Sequence, residues 1–198
     1  YGIFADEYRQ LTGATVTVIE PGPALAAVCR DKGLEVIQSF LEKIKPGVFA
    51  PEPKVFVSFE LFEHLHHPRF FLRQLLRLME VGDLFIFTTL SGVGVDIQAL
   101  WEYSRSVSPP HHLNFFNPKS VQLLLEDMGF EVMHSATPGR LDIDILCNNQ
   151  DQIKDRFWRT FALQATMDKK QQMKSFIAAH GLSSHMLVVA RKNKDVKP

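Results

Sequence analysis

The sequence predicts an α/β protein with a doubly wound, mostly parallel sheet and a helical insertion before the last strand. Three observations support this fold class. Short β-branched or aromatic runs alternate with segments whose apolar residues recur at helical spacing. The strand-like runs are almost continuously apolar, as in strands buried on both faces. Glycine and proline separate the two kinds of segment, which is typical of element boundaries.

The first half of the chain supplies most of this alternation. Its predicted elements are helix 3–11, strand 15–20, helix 23–32, strand 34–37, strand 54–59, helix 68–80 and strand 84–89. Gly13, Gly33 and Gly82 follow the three helices, where a left-handed glycine commonly ends a helix. Because parallel strands end at one edge of a sheet, we expect the loops after these strands to meet there.

The second half begins with a long connection, 91–118, which is rich in glycine, serine, proline and histidine and contains a short helix over 97–103. A connection of this length is commonly functional or disordered. Asn117 then caps a helix over 118–128 that has Pro118 at its first position. A strand over 130–134 follows Gly129.

Two polar amphipathic helices, 151–165 and 169–180, form the insertion before the last strand, 185–191. We expect them to serve as a cover or as a dimer element, so a homodimer is left open. Residues 139–144 alternate charged and apolar side chains, which predicts an exposed edge strand. Their charged residues, Arg140, Asp142 and Asp144, are alternative lining residues of a substrate pocket.

Composition excludes several classes of function. The 198 residues have a net charge of zero and a pI near 7.3, so we expect neither nucleic acid nor a membrane surface as partner. We expect no membrane span, because no apolar run is long enough, and no signal peptide, because the residues from Tyr1 onward lack a basic region followed by an apolar one. Cys29 and Cys147 are far apart and lack CxxC spacing, which predicts two buried free thiols and a cytoplasmic protein. A small molecule is the expected partner.

Glu20 is the clearest functional residue. It closes the β-branched run 15–19, directly before Pro21 and Gly22. A carboxylate at the carboxyl end of a parallel strand can accept hydrogen bonds from both hydroxyls of a ribose. Alternatively, Glu20 is a solvated strand end or a cap of the next helix. An acid at this position also occurs in nicotinamide-dinucleotide oxidoreductases, which remain an alternative.

Three motifs stand in a definite order along the chain: Val18-Ile19-Glu20-Pro21, the run 57–65 followed by Pro68, and the run 112–116 ahead of Met128-Gly129-Phe130. Together they resemble the class I S-adenosylmethionine-dependent methyltransferases, close to the branch of ubiquinone-biosynthesis O-methyltransferases. The resemblance implies a Rossmann-like methyltransferase fold, S-adenosylmethionine as cofactor, and methyl transfer to an oxygen, nitrogen or carbon of a small molecule.

The resemblance also implies a set of cofactor-binding residues. Glu20 would hold the ribose, Phe40 and Leu41 the adenine, and Phe59 and Glu60 the methionine part. Tyr1 and Gly2 match the end of the glycine-rich loop of that family. The rest of this loop and the first strand of the family have no counterpart in the sequence, so we expect a single domain, 1–198, that lacks both.

Histidines are the candidate catalytic residues. Methyl transfer from a sulfonium needs little beyond alignment and one base, and histidine titrates near neutrality. His64 lies after the strand 54–59, and His112 and its neighbour His111 lie in the long connection. The alternative for His64 is a helix cap, and for His112 a turn histidine packed against Phe115.

Histidine pairs at 66–67 and 111–112, near Glu60 and Glu63, could also hold a metal. Neighbouring side chains point apart and no HExxH helix is present, so we expect no metal. A weak divalent-cation site that includes Glu60, as in some relatives of the ubiquinone branch, is the alternative.

The long connection also contains four aromatic residues, Trp101, Tyr103, Phe115 and Phe116. They are consistent with a flat or apolar acceptor or with a hydrophobic anchor for the loop.

A different class of function also fits the sequence. The missing glycine-rich loop and the polar helices are compatible with a catalytically inactive, methyltransferase-like binding module.

Overall fold

The computed structural model describes residues 2–194, so Tyr1 and the last four residues lie outside the described part. Six strands occur in that part: β1 (Thr17–Ile19), β2 (Glu35–Ile37), β3 (Val55–Phe59), β4 (Leu84–Leu90), β5 (Phe130–Ala136) and β6 (His185–Lys192). The α-helices are α1 (Ile3–Thr12), α2 (Pro23–Asp31), α3 (Pro68–Leu78), α4 (Val95–Leu100), α5 (Pro118–Met128), α6 (Asp142–Asn148), α7 (Arg156–Gln164) and α8 (Met167–Ala179).

The chain divides into two compact units. The first consists of Tyr1–Pro51 and Arg73–Leu78. In it β1 and β2 pair in parallel through three residue pairs, from Thr17 opposite Glu35 to Ile19 opposite Ile37. α2 connects the two strands, as expected for a parallel crossover.

The second unit consists of Glu52–Leu72 and Met79–Pro198 and contains a four-stranded sheet in the order β3-β4-β6-β5. β3 and β4 are parallel, whereas β6 is antiparallel to both of its neighbours. β3, β4 and β5 therefore run in one direction and only β6 is reversed. The carboxyl ends of β3 and β4 lie together, which brings the segments after Phe59 and Leu90 to one edge.

Stacked phenylalanines form the core on one face of this sheet. Phe85 and Phe87 of β4 are buried and their neighbours in the strand are half-buried, because alternate side chains of a strand point to opposite faces of the sheet. Phe62, which follows β3, has 0% of its surface exposed. Its ring stacks on Phe87 with centroids 4.6 Å apart. The segment between β3 and α3 is thus anchored in the core although it has little regular structure.

The helical insertion before the last strand is confirmed, with α7 and α8 close to the predicted positions. The predicted edge strand over 139–144 is wrong, because Asp142 and Ile143 begin the helix α6 and both are buried. Ile143 packs with Leu146 and Ile177 in a second apolar core beneath these helices. The alternation of charged and apolar residues therefore reflects one helical turn with a buried face rather than an extended chain.

The structure tests two expectations from composition in the described residues. Cys29 and Cys147 are free thiols as expected, but only Cys29 is buried, whereas Cys147 is half-buried. Among residues 2–194, every helix is too short or too polar to cross a lipid bilayer.

Candidate functional site

Candidate site residues lie in both units, and each group is described within its own unit. In the first unit Glu20 follows β1 directly and is half-buried. Its backbone N–H donates to the Ile37 carbonyl at 3.1 Å, which extends the pairing of β1 with β2. Its Oε1 accepts the Gly22 N–H at 2.7 Å. The carboxylate is therefore held in one orientation at the strand end, and its predicted role toward a ribose stays a prediction.

The residues after β2 present an apolar surface. The Phe40 side chain is 56% exposed, and the Lys43 ammonium lies 5.4 Å from its ring centroid. Leu41 is half-buried in the 3-10 turn that follows. Because β1 and β2 are parallel neighbours, Glu20 and Phe40 follow strands that end at the same edge of the two-stranded sheet.

Gly2 has a structural reason to be glycine. It has φ +68°, and a Cβ atom there would lie 2.9 Å from the Cys29 sulfur. Both the backbone conformation and the close packing exclude a side chain. The cofactor role implied for Gly2 stays a prediction.

In the second unit Glu60 directly follows β3 and has a left-handed backbone conformation, φ +47°. Its N–H donates to the Thr88 carbonyl at 3.1 Å, which keeps it registered with β4. Its Oε2 lies 3.3 Å from Nδ1 of His185, the first residue of β6. Phe59, directly before it, is 47% exposed. The roles predicted for Phe59 and Glu60 toward the cofactor stay predictions, and the ion pair with His185 was not foreseen.

This ion pair sets the charges of both partners. Burial acts to raise the pKa of Glu60, but hydrogen bonds from His185 and Thr88 outweigh it and hold that pKa below its ordinary value. The hydrogen bond to Glu60 raises the pKa of His185 against the opposing effect of burial. Glu60 is accordingly a carboxylate at neutral pH.

The two predicted catalytic histidines meet in the structure. The rings of His64 and His112 have centroids 4.8 Å apart. Nδ1 of His64 bonds the His111 carbonyl at 2.8 Å, and Nδ1 of His112 bonds the Ser106 carbonyl at 2.7 Å. Since a carbonyl oxygen only accepts, each Nδ1 carries a proton, and in the neutral form of either ring the lone pair lies on Nε2. The Nδ1 partner of His64 is a loop carbonyl rather than an N–H of the next helix, and the Phe115-packing alternative for His112 stays open to test.

Backbone contacts to the residues before His64 explain why the histidines meet. The N–H groups of Leu113 and Asn114 both donate to the Glu63 carbonyl, at 2.7 and 3.1 Å. The Asn114 side-chain amide donates to the carbonyls of Phe62 and Leu65, at 3.1 and 2.6 Å. Asn114 thus joins the long connection to the segment after β3. Asn114 lies in the run 112–116, whose sequence alone did not predict this role.

Glu63 completes the cluster and was not predicted as a site residue. It is 1% exposed, and its Oε2 accepts the Thr89 hydroxyl at 2.8 Å. Burial raises the pKa of Glu63, while its own backbone N–H and the Thr89 hydroxyl act in the opposite direction. A buried carboxyl whose oxygen lies within 4.8 Å of two imidazole nitrogens would be stabilised by a nearby cation.

Glu63, His64 and His112 could also hold a metal ion. Their ligand atoms lie within 4.8 Å of one another, and no other group of three such side chains in residues 2–194 is as close. Histidine ligands commonly donate their second ring N–H to a carbonyl, as both do here. This set differs from the predicted alternative, because Glu60 bonds His185 instead. The expectation that no metal is required stays a prediction.

The fold and these residues define an α/β protein of the Rossmann-like methyltransferase class. The sequence profile of a methyltransferase domain matches residues 1–135 of the chain. The chain therefore belongs to the methyltransferase-domain family. This favours the methyltransferase interpretation over the nicotinamide-dinucleotide one. The ubiquinone O-methyltransferase branch is a finer assignment than the match supports.

Solved structures share the fold at low identity. One is a geranyl diphosphate C-methyltransferase from Streptomyces coelicolor in complex with Mg²⁺, geranyl diphosphate and S-adenosylhomocysteine. It is 9% identical to this chain, and the alignment has a TM-score of 0.57 and covers 96% of this chain and 67% of the methyltransferase. A phosphoethanolamine N-methyltransferase from Haemonchus contortus, also with S-adenosylhomocysteine, is 14% identical with a TM-score of 0.59, covering 96% and 46%.

A 4+2 cyclase shares the fold as well, at 15% identity and a TM-score of 0.57, covering 97% of this chain and 71% of its own. The fold by itself therefore leaves the reaction open. A search of curated proteins found no match to the sequence.

Proposed function

We propose that the protein is an S-adenosylmethionine-dependent methyltransferase that methylates an oxygen, nitrogen or carbon of a small molecule. The observation that carries this proposal is the pair His64 and His112, whose rings lie side by side with both Nε2 lone pairs free. Membership of the methyltransferase-domain family supports it. S-adenosylhomocysteine in structures of the same fold supports the choice of cofactor.

The residues after β1 and β2 fit the adenosine part of this cofactor. Glu20 is held by the Gly22 N–H in a fixed orientation, and its oxygens keep lone pairs for the ribose hydroxyls. Phe40 exposes its ring at the neighbouring strand end, where it can stack on a base. When bound, the cofactor supplies an activated methyl group on a sulfonium.

In this proposal the histidine pair manages the proton of the acceptor. Nε2 of one histidine accepts the proton from the nucleophile. The ring of the other histidine, whose Nδ1 is bonded to a backbone carbonyl, packs against the first ring and fixes its position. The buried Glu63 stabilises the positive charge that the pair gains. A metal ion would occupy the same lone pairs and remove the base, so we expect transfer to proceed in the presence of a chelator.

We predict that Glu20→Ala weakens binding of S-adenosylhomocysteine by about 1.5–3 kcal/mol, or roughly 10- to 150-fold in Kd. Glu20→Gln keeps an oxygen for the Gly22 N–H but removes the charge, so we expect a smaller loss. Calorimetric titration measures both, with Glu7→Ala on the exposed face of α1 as the control. An unchanged Kd for Glu20→Ala would remove Glu20 from the cofactor site.

We predict that His64→Asn and His112→Asn each lower the rate of methyl transfer by about 10²–10⁴-fold. Asparagine retains an N–H near the Nδ1 position, so the hydrogen bond to the carbonyl survives while the base is lost. The measurement is a single turnover of radiolabelled methyl from S-adenosylmethionine to a pool of small phenols and amines, with the exposed His134→Asn as control. Wild-type rates of transfer in both variants would contradict the role of the histidine pair. If the wild-type protein binds the cofactor but transfers methyl to no acceptor, the result favours the inactive binding module.

A further inference from the structure

A cavity of about 300 Å³ lies within the second unit, next to the segment that follows β4. This volume is at the lower end of the range of small-molecule sites, roughly 300–1,000 Å³. Most of its walls are apolar and half of the apolar side chains are aromatic. They are Val93, Ile97, Trp101, Val107, Phe115 and Phe116.

The lining contains no charged side chain. Its polar side chains are two neutral amides, Gln98 and Asn117. A phosphate or carboxylate placed here would lose its hydration without gaining an arginine or lysine. The cavity therefore favours an uncharged ligand with a ring that the apolar walls can cover.

The walls are held in place before any ligand binds. The Gly92 N–H donates to the Phe116 carbonyl at 2.7 Å, and the Gln98 amide donates to the Gly92 carbonyl at 2.6 Å. A Cβ atom at Gly92 would lie 2.9 Å from the Phe115 Cβ, so glycine is needed for this close approach. A preformed site loses little freedom when it binds a small molecule.

Trp101 adds an independent sign of a binding role. Its backbone has φ +43° and ψ −108°, a conformation that a bulky side chain adopts only when its surroundings impose it. The side chain lines the cavity and is nonetheless 59% exposed. Strain of this kind concentrates at functional sites, and here it presents a flat indole to the open side of the cavity.

We infer that this cavity binds the methyl acceptor, and that the acceptor is a neutral molecule with a planar aromatic ring that carries a hydroxyl or amino group. The inference rests on the proposed function. Phe115 and Phe116 belong to the same short segment as His112 and Asn114, so the wall of the cavity and the histidine pair are positioned by one set of backbone contacts. The Gln98 amide oxygen is available to accept a hydrogen bond from the ligand.

Tryptophan fluorescence can test this inference without catalysis. The chain has two tryptophans, so Trp158→Phe leaves Trp101 as the sole reporter. We expect 1-naphthol to quench Trp101 saturably, and 1-naphthyl phosphate, which has the same ring with added charge, to bind at least tenfold more weakly. Calorimetric titration of the wild-type protein with both compounds provides the same comparison should Trp158→Phe fold poorly.

A matched pair of variants locates the binding. Val93→Phe fills the cavity and should weaken 1-naphthol binding at least tenfold, whereas Val81→Phe, at an exposed valine outside the cavity, should leave it unchanged. Equal binding of the two naphthyl compounds, or wild-type binding in Val93→Phe, would overturn the inference.

Cofactor binding separates this inference from the proposed function. Binding of S-adenosylhomocysteine with no binding of 1-naphthol contradicts the aromatic acceptor alone. Binding of 1-naphthol with no binding of S-adenosylhomocysteine contradicts the proposed function and supports the cavity as an aromatic site.

Discussion

Phe62→Ala is expected to lower the free energy of unfolding of the second unit by about 3–5 kcal/mol. The Phe62 side chain is fully buried, and four other phenylalanine rings surround it. These rings are Phe71, Phe85, Phe87 and Phe116, with centroids between 4.6 and 6.2 Å from that of Phe62. Removing the ring leaves a cavity that the rigid sheet cannot fill, and it also removes the aromatic pair contacts.

Chemical denaturation of the variant measures this loss. Phe70→Ala is the control, because Phe70 is 47% exposed and its truncation should change stability by less than about 1 kcal/mol. We expect Phe62→Leu to fall between the two. A loss below about 1 kcal/mol in Phe62→Ala would mean that the aromatic core is not packed as the structure shows.

The same substitution links the core to the candidate site. The Phe62 carbonyl accepts the Asn114 amide, and Glu63 and His64 follow directly in the chain. Movement of this segment into the cavity would separate His64 from His112. The position of the histidine pair therefore depends on a fully buried phenylalanine.

Local signals explain why several elements could be predicted from the sequence. Asn117 and Pro118 begin α5 and Gly129 ends it, as predicted, because capping is set by residues within one turn. In the structure the Asn117 side chain accepts the Ser120 N–H, and the Ser120 hydroxyl accepts the Asn117 N–H. The position of Glu20 at a strand end follows from an equally local pattern.

Long-range partners explain what the sequence could not predict. The helix α6 replaced an expected edge strand because Asp142 is stabilised by Ser183 and Ser184, about forty residues later. His64 and His112 were each candidates, but their contact depends on the path of a long connection. The same is true of the pairing of Glu60 with His185. Propensity does not encode contacts between residues so distant in the chain.

A buried pair of carboxyl groups gives the second large prediction. Asp96 on α4 is 1% exposed and Asp142 on α6 is 0% exposed. Asp142 accepts the Ser183 hydroxyl at 2.8 Å and the Ser184 N–H at 2.7 Å, so both of its oxygens are bonded. Oδ1 of Asp96 has no hydrogen-bond partner. The pKa of Asp96 is raised to about 6. Burial is the main cause and the neighbouring Asp142 adds to it, whereas the hydrogen bond with Ser184 acts in the opposite direction.

The direction of the pH effect follows from this raised pKa. Folded Asp96 retains its proton up to about pH 6, whereas unfolded Asp96 loses it near 3.8. Its contribution to stability is therefore complete below about pH 3.8 and is lost as the pH rises through about 6. The difference between the two pKa values corresponds to about 3 kcal/mol. His185, whose pKa is raised mainly by its hydrogen bond to Glu60, also contributes stability that is lost as the pH rises through its own raised pKa.

The change in the free energy of unfolding caused by Asp96→Asn is accordingly expected to be more favourable at pH 8 than at pH 4 by about 3 kcal/mol. An asparagine amide can donate to the Asp142 carboxylate at every pH, as the protonated Asp96 does only in acid. Urea denaturation from pH 4 to pH 8 measures the difference, and Asp151→Asn, which removes one exposed carboxylate, should give a curve parallel to the wild type. Parallel curves for both variants would show that Asp96 is ionised in the folded protein. In that case another cation must lie against the pair, since two buried carboxylates are not stable side by side without one.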